Sequence, residues 1–163
     1  MFSSDRPLPL LGALIGGLVA GILDIVYAFI LSGLAGRKPL GALKAVASGV
    51  LGAEAFKGGT PTVALGLVLH LGITVVAALV YLFCAQRAAY IRDHYLVCGS
   101  IFGALVYLVM NFVVLPLSAV PFKLTYSPPV IAQGFVSHAL LVGIPIALCV
   151  RRFSIARDQA DDV

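Results

Sequence analysis

Four apolar runs, each long enough to cross hydrocarbon and each interrupted by a side chain able to do hydrogen-bond or proton chemistry, limit what this chain can become. They span about 8–34, 61–84, 96–119 and 129–150, and the interrupting residues are Asp24, His70, Asn111 and His138. A bilayer core of ~30 Å needs about 20 helical residues at 1.5 Å each. Lipid offers a backbone no hydrogen-bond partners, so spanning segments of this length must be helices. The pattern predicts an all-α integral membrane four-helix bundle forming a single transmembrane domain over 1–163.

Composition agrees. Hydrophobic residues make up 61% of the chain and charged ones 11%, and the mean hydropathy is +1.07. A soluble enzyme is excluded on that balance. The net charge of +4 does not point to nucleic acid, because the basic residues fall at segment ends and in loops, where they read as membrane topology and headgroup contacts. The first run is too long for a signal-peptide core and contains Asp24, so it is expected to remain as a spanning helix.

The first helix carries Gly12-x-x-x-Gly16 and Gly17-x-x-x-Gly21, small-residue patterns that let another helix approach closely. Asp24 lies three residues after Gly21 and seven after Gly17, which puts its carboxyl on the same face and into the bundle. Between helices 1 and 2, residues 39–57 show helical spacing of Leu40, Leu43, Val46 and Val50 with Lys44, Ser48 and Glu54 interleaved. The stretch is too short and polar to span. It is expected to be an amphipathic interfacial helix, with a re-entrant piece packed on the bundle as the other reading. Gly58-Gly59-Thr60-Pro61 then breaks the chain and starts helix 2.

Helix 2 stacks Gly66, His70 and Thr74 four residues apart, and helix 4 repeats the spacing as Gly134 and His138. Helix 3 has Gly99-x-x-x-Gly103 near its start and Tyr107 one turn before Asn111. Laid on helix 1, it aligns Gly103 with Gly16 and Asn111 with Asp24. This suggests two helical hairpins repeated in parallel, with any shared site at their interface. From the helix starts, Asp24 and Asn111 lie ~24 and ~22 Å deep and the two histidines ~14 Å deep in antiparallel helices, so all four can meet near the midplane. Pro116, close to the exit of its helix, is expected to kink it or end it early and Pro145 to kink its helix, and 151–163 is read as a charged tail, disordered toward Asp161-Asp162.

An intramembrane carboxylate costs on the order of 2.5–3.5 kcal/mol on insertion scales and needs a partner, a proton or water. Asp24, His70, Asn111 and His138, with Tyr27 and Tyr107 as relay extensions, are therefore candidates to bind or pass a proton, a cation or a small solute. The alternative is a structural hydrogen-bond network in an accessory or assembly subunit. A third reading makes His70 and His138 axial ligands of haem b or ligands of a metal, with Gly66 and Gly134 leaving room for a macrocycle; two ligands are too few to indicate zinc. No catalytic motif is present, so no enzyme activity is expected.

At Gly21-Ile-Leu-Asp24-Ile-Val-Tyr27, Ala47-Ser-Gly-Val-Leu-Gly52 and Met110-Asn-Phe-Val-Val-Leu-Pro-Leu-Ser118, the chain resembles a family of small bacterial inner-membrane proteins of unknown function. The resemblance implies a four-helix bundle in a bacterial plasma membrane and brings no activity. The expected partners are the lipid bilayer and either further copies of the chain or another membrane protein. Sidedness is nearly balanced: Arg6, Arg87, Arg92, Arg151, Arg152 and Arg157 oppose Arg37, Lys38, Lys44, Lys57 and Lys123. Cys84, Cys98 and Cys149, with no paired spacing, read as free thiols facing a reducing compartment, which favours cytoplasmic termini.

Overall fold

A computed structural model describes residues 8–122 and 127–161, with the backbone alone for 154–161. The polar lead 1–7, Lys123 and the tip of the tail at 162–163 lie outside the described residues. Helix α1 is Leu8–Leu34, α2 is Gly41–Leu51 with a 3-10 extension over Gly52–Phe56, α3 is Thr60–Arg87 and α4 is the short Ala89–Asp93. Helix α5 is Tyr95–Leu117, and α6 runs from Pro128 to Asp161. No strand occurs among the described residues. Four of these helices, α1, α3, α5 and α6, are long and apolar enough to cross a membrane, so this is a multi-pass membrane protein. Its outer surface suits lipid: Val68, Val76, Val97 and Ile101 are each more than half exposed, which water would not tolerate over so large an area.

The glycines of α1 divide between two neighbours. A Cβ at Gly12 would stand 2.8 Å from Phe153 Cβ and one at Gly16 3.0 Å from Cys149 Cβ, both on α6, whereas one at Gly17 would stand 2.6 Å from Val75 Cα and one at Gly21 2.6 Å from Thr74 Oγ1, both on α3. The two overlapping patterns are thus two contact faces for two helices. On α5, Gly99 and Gly103 together meet Gly143, Ala147 and the His138 backbone of α6. Where lipid removes any hydrophobic advantage in pairing helices, such backbone contact supplies the attraction.

The two hairpins therefore do not pack alike. Helix α1 lies along both α3 and α6, while α5 lies along α6 and meets α3 through Tyr81 against Phe102, ring centroids 5.2 Å apart. The sequence alignment of helices 1 and 3 shows why. Gly17 and Gly21 of α1 correspond to Ala104 and Leu108 of α5, so α5 has one smooth face where α1 has two. With that face taken by α6, α3 and α5 stay apart over the half of the bundle near α2. The opposite half is closed by a core of Ala13, Ala20, Ala78, Tyr81, Leu82, Val142 and Ile146.

Helix α2 is packed on the bundle: Leu43, Ala47 and Ser48 are buried, the Leu43 carbonyl sits directly on Gly66, and the Ala119 N–H donates to Gly49 O at 2.9 Å. One expectation is corrected. Helix 4 does not stop at Val150; the backbone remains helical to Asp161, so 151–161 is helix, not disordered tail. Pro116 lies one residue before the end of α5 at Leu117, whereas α6 continues past Pro145. Each is preceded by a π-helical segment, Met110–Val114 before Pro116 and His138–Gly143 before Pro145. Proline lacks the N–H for the i−4 carbonyl and its ring crowds that carbonyl, and a wider turn just ahead of it relieves both.

Candidate functional site

The gap between α3 and α5 is a cavity of about 400 Å³, lined by residues of α1, α2, α3, α5 and α6, and all four of the interrupting residues, Asp24, His70, Asn111 and His138, line it. Its volume lies in the range of small-molecule sites. Thr74 and Ser118 add two side-chain hydroxyls to a wall that is otherwise aliphatic apart from Phe122. From the polar residues the cavity extends to α2, which contributes Val46, Gly49 and Val50.

Each polar group is held by its own helix or by a close neighbour. Gly21, which lets α3 come close, also presents its carbonyl to His70, whose Nε2 lies 2.9 Å away. A carbonyl only accepts, so Nε2 carries the proton. The same nitrogen is 3.8 Å from Asp24 Oδ2, one helical turn further along α1. His138 Nδ1 lies 3.0 Å from Gly134 O in its own helix and 3.4 Å from Ser137 Oγ; its proton is therefore on Nδ1, and Nε2 is left as the acceptor. Asn111 Nδ2 donates to Tyr107 O at 2.9 Å, and Thr74 Oγ1 donates to Leu71 O at 3.0 Å.

Asn111 and His138 both fall inside the π-helical segments. A π turn inserts one extra residue and leaves a carbonyl poorly matched, an arrangement common at functional positions of helices. The prolines at 116 and 145 signal these breaks in the sequence, but nothing there distinguishes a π turn from a kink.

The tyrosines do not line the cavity. Tyr27 OH accepts from Gln133 Nε2 at 2.9 Å, which ties α1 to α6. Tyr107 is buried and lies edge-on to the His138 ring at 5.3 Å between centroids. It also fills the space over Gly134, as the Leu43 carbonyl fills that over Gly66. The room expected for a macrocycle at these two glycines is thus occupied by protein. Iron ligation through both Nε2 atoms is also at odds with His70, whose Nε2–H is committed to Gly21. Among the described residues no three His, Cys, Asp or Glu side chains gather as a metal-ion site. The three cysteines carry no disulfide.

The α2 wall, Thr74 and Ser118 are the parts of the site that sequence reasoning missed. Thr74 was within reach, four residues after His70 on the same stripe. Comparison with protein-family models, curated proteins and solved structures returns no match.

Proposed function

We propose that this protein binds, or passes across the membrane, a proton, a cation or a small solute at the cavity between α3 and α5. The observation that carries this reading is that Asp24, His70, Asn111 and His138, one from each of the four spanning helices, line a single cavity whose wall is otherwise apolar but for Thr74 and Ser118. An intramembrane carboxylate open to a cavity is expensive to maintain and marks a pathway or a site more often than a scaffold.

The setting proposed is a bacterial plasma membrane, on the resemblance at Asp24 and Asn111, with both termini cytoplasmic, on the cysteines and the arginine-bearing α3–α5 turn. Four helices enclose one small cavity, which favours work as a homo-oligomer or beside a membrane partner. The test is flux in liposomes of proton, with an entrapped pH dye, and of sodium and potassium, for the natural chain, Asp24→Asn and Val106→Phe. Val106 lines the cavity, and the larger phenylalanine ring there obstructs it. Both variants are expected to fold and to lose flux or ligand by at least about ten-fold, Asp24→Asn through loss of a charge-assisted contact and Val106→Phe by obstruction. Unchanged flux and binding together with a lowered Tm would instead make the polar residues a scaffold.

A further inference from the structure

Resting on the reading of the cavity as a site, we infer the chemical class of its occupant: a small molecule with an apolar body and a protonated amine. The donors and acceptors of the wall set this class. His70 Nε2–H is committed to Gly21 O, His138 Nδ1–H to Gly134 O, one Asn111 amide hydrogen to Tyr107 O and the Thr74 hydroxyl to Leu71 O. The Ser118 hydroxyl likewise goes to Leu115 O. Five of the six polar side chains of the wall therefore turn a donor onto backbone. Beside the Asn111 amide, what they leave is acceptors: the Asp24 carboxyl, which carries a negative charge when ionised, His138 Nε2 and His70 Nδ1.

An anion or a pure acceptor finds little to bind there, and a cationic donor finds a charge and lone pairs. A bare metal cation fits poorly, because it needs several oxygen or nitrogen ligands together and no three His, Cys, Asp or Glu side chains gather among the described residues. The rest of the wall, from Val46 of α2 through Leu69, Ile73 and Val106 to Val142, offers aliphatic surface to a hydrocarbon or aryl body. An ammonium on such a body can be a free amine or the headgroup of an aminophospholipid.

The test uses the full chain in phosphatidylglycerol nanodiscs and three probes that share one aryl body: 2-phenylethylammonium, 2-phenylethanol and phenylacetate. Binding is read by ligand-observed NMR and calorimetry. The ammonium is expected to bind at least ten-fold tighter than the alcohol, with phenylacetate not bound. Asp24→Asn is expected to lower ammonium affinity at least ten-fold and leave the alcohol unchanged, while Val106→Phe removes both. Adding phosphatidylethanolamine to the nanodiscs weakens the ammonium probe if the headgroup is the occupant and leaves it unchanged if a free amine is. Phenylacetate binding as well as the ammonium, or ammonium binding that survives Asp24→Asn, overturns the inference while leaving the cavity as a site. If none of the three binds but proton or sodium flux depends on Asp24, the inference fails and the proposed function stands; if flux is absent too, both fail.

Discussion

Gly17 and Gly72 of α1 and α3 show what a missing Cβ does at single positions. At Gly17 a Cβ would stand 2.6 Å from Val75 Cα, against backbone that cannot step aside, whereas nothing lies within 4 Å of one at Gly72. Gly17→Val should therefore destabilise the bundle by about 1–3 kcal/mol, the usual cost of overpacking. Gly72→Ala should be neutral or stabilising by about 0.5–1 kcal/mol through reduced backbone freedom. Thermal melts of both variants in one detergent decide the matter, and equal effects would remove the distinction between contact and lipid faces. At this scale much was legible: the spacing of Gly17, Gly21 and Asp24 places all three on the face that meets α3 at Thr74 and His70. The bonds of the histidines were not. Which ring nitrogen meets which carbonyl depends on the side-chain torsion and on a carbonyl 49 positions away for His70, neither of which spacing encodes.

The elements divide in the same way between what periodicity carries and what it does not. Run length gives the four spanning helices, but α2 and the two π segments depend on tertiary contact. Helix α2 is held where the Leu43 carbonyl meets Gly66, where Ala119 N–H bonds Gly49 O, and where Phe56 lies edge-on to Phe122 at 6.2 Å. Its amphipathic pattern suits an interface and a protein groove equally. Gly66→Val should undock it. With the native cysteines replaced by serine, Ala47→Cys, fully buried at 0% exposure, should react slowly with a maleimide, and about ten-fold faster once Gly66→Val is added, the change expected for an opening equilibrium shifted by ~1.4 kcal/mol. Equal rates would mean that α2 is not held by this contact. For α6, a π turn is one residue more than an α-helix needs. Deleting Leu140, which is 53% exposed and within the segment, should leave a monodisperse protein with undiminished helicity by circular dichroism, and displace His138 from the cavity. Loss of folding on this deletion would show that the segment is required for the fold and not only for the site.

For the whole molecule, the distribution of glycines accounts for both the closed half and the open one. Helix α1 has two smooth faces and closes on two neighbours, α5 has one and closes on α6, and the unmatched side between α3 and α5 becomes the cavity into which each spanning helix sends a polar residue. The bundle itself was readable from hydropathy; the asymmetry was present in the sequence as Ala104 and Leu108 where α1 has Gly17 and Gly21. It became visible only when each glycine could be assigned a partner. The central claim is that the Asp24 carboxyl is open to this cavity within the membrane. The direct measurement is labelling of native membranes with dicyclohexylcarbodiimide, a lipid-soluble reagent for protonated carboxyls, followed by peptide mass spectrometry. Asp24 should be modified in the natural chain and protected by Val106→Phe. An Asp24 that stays unmodified, or is labelled equally in the obstructed variant, would contradict the account.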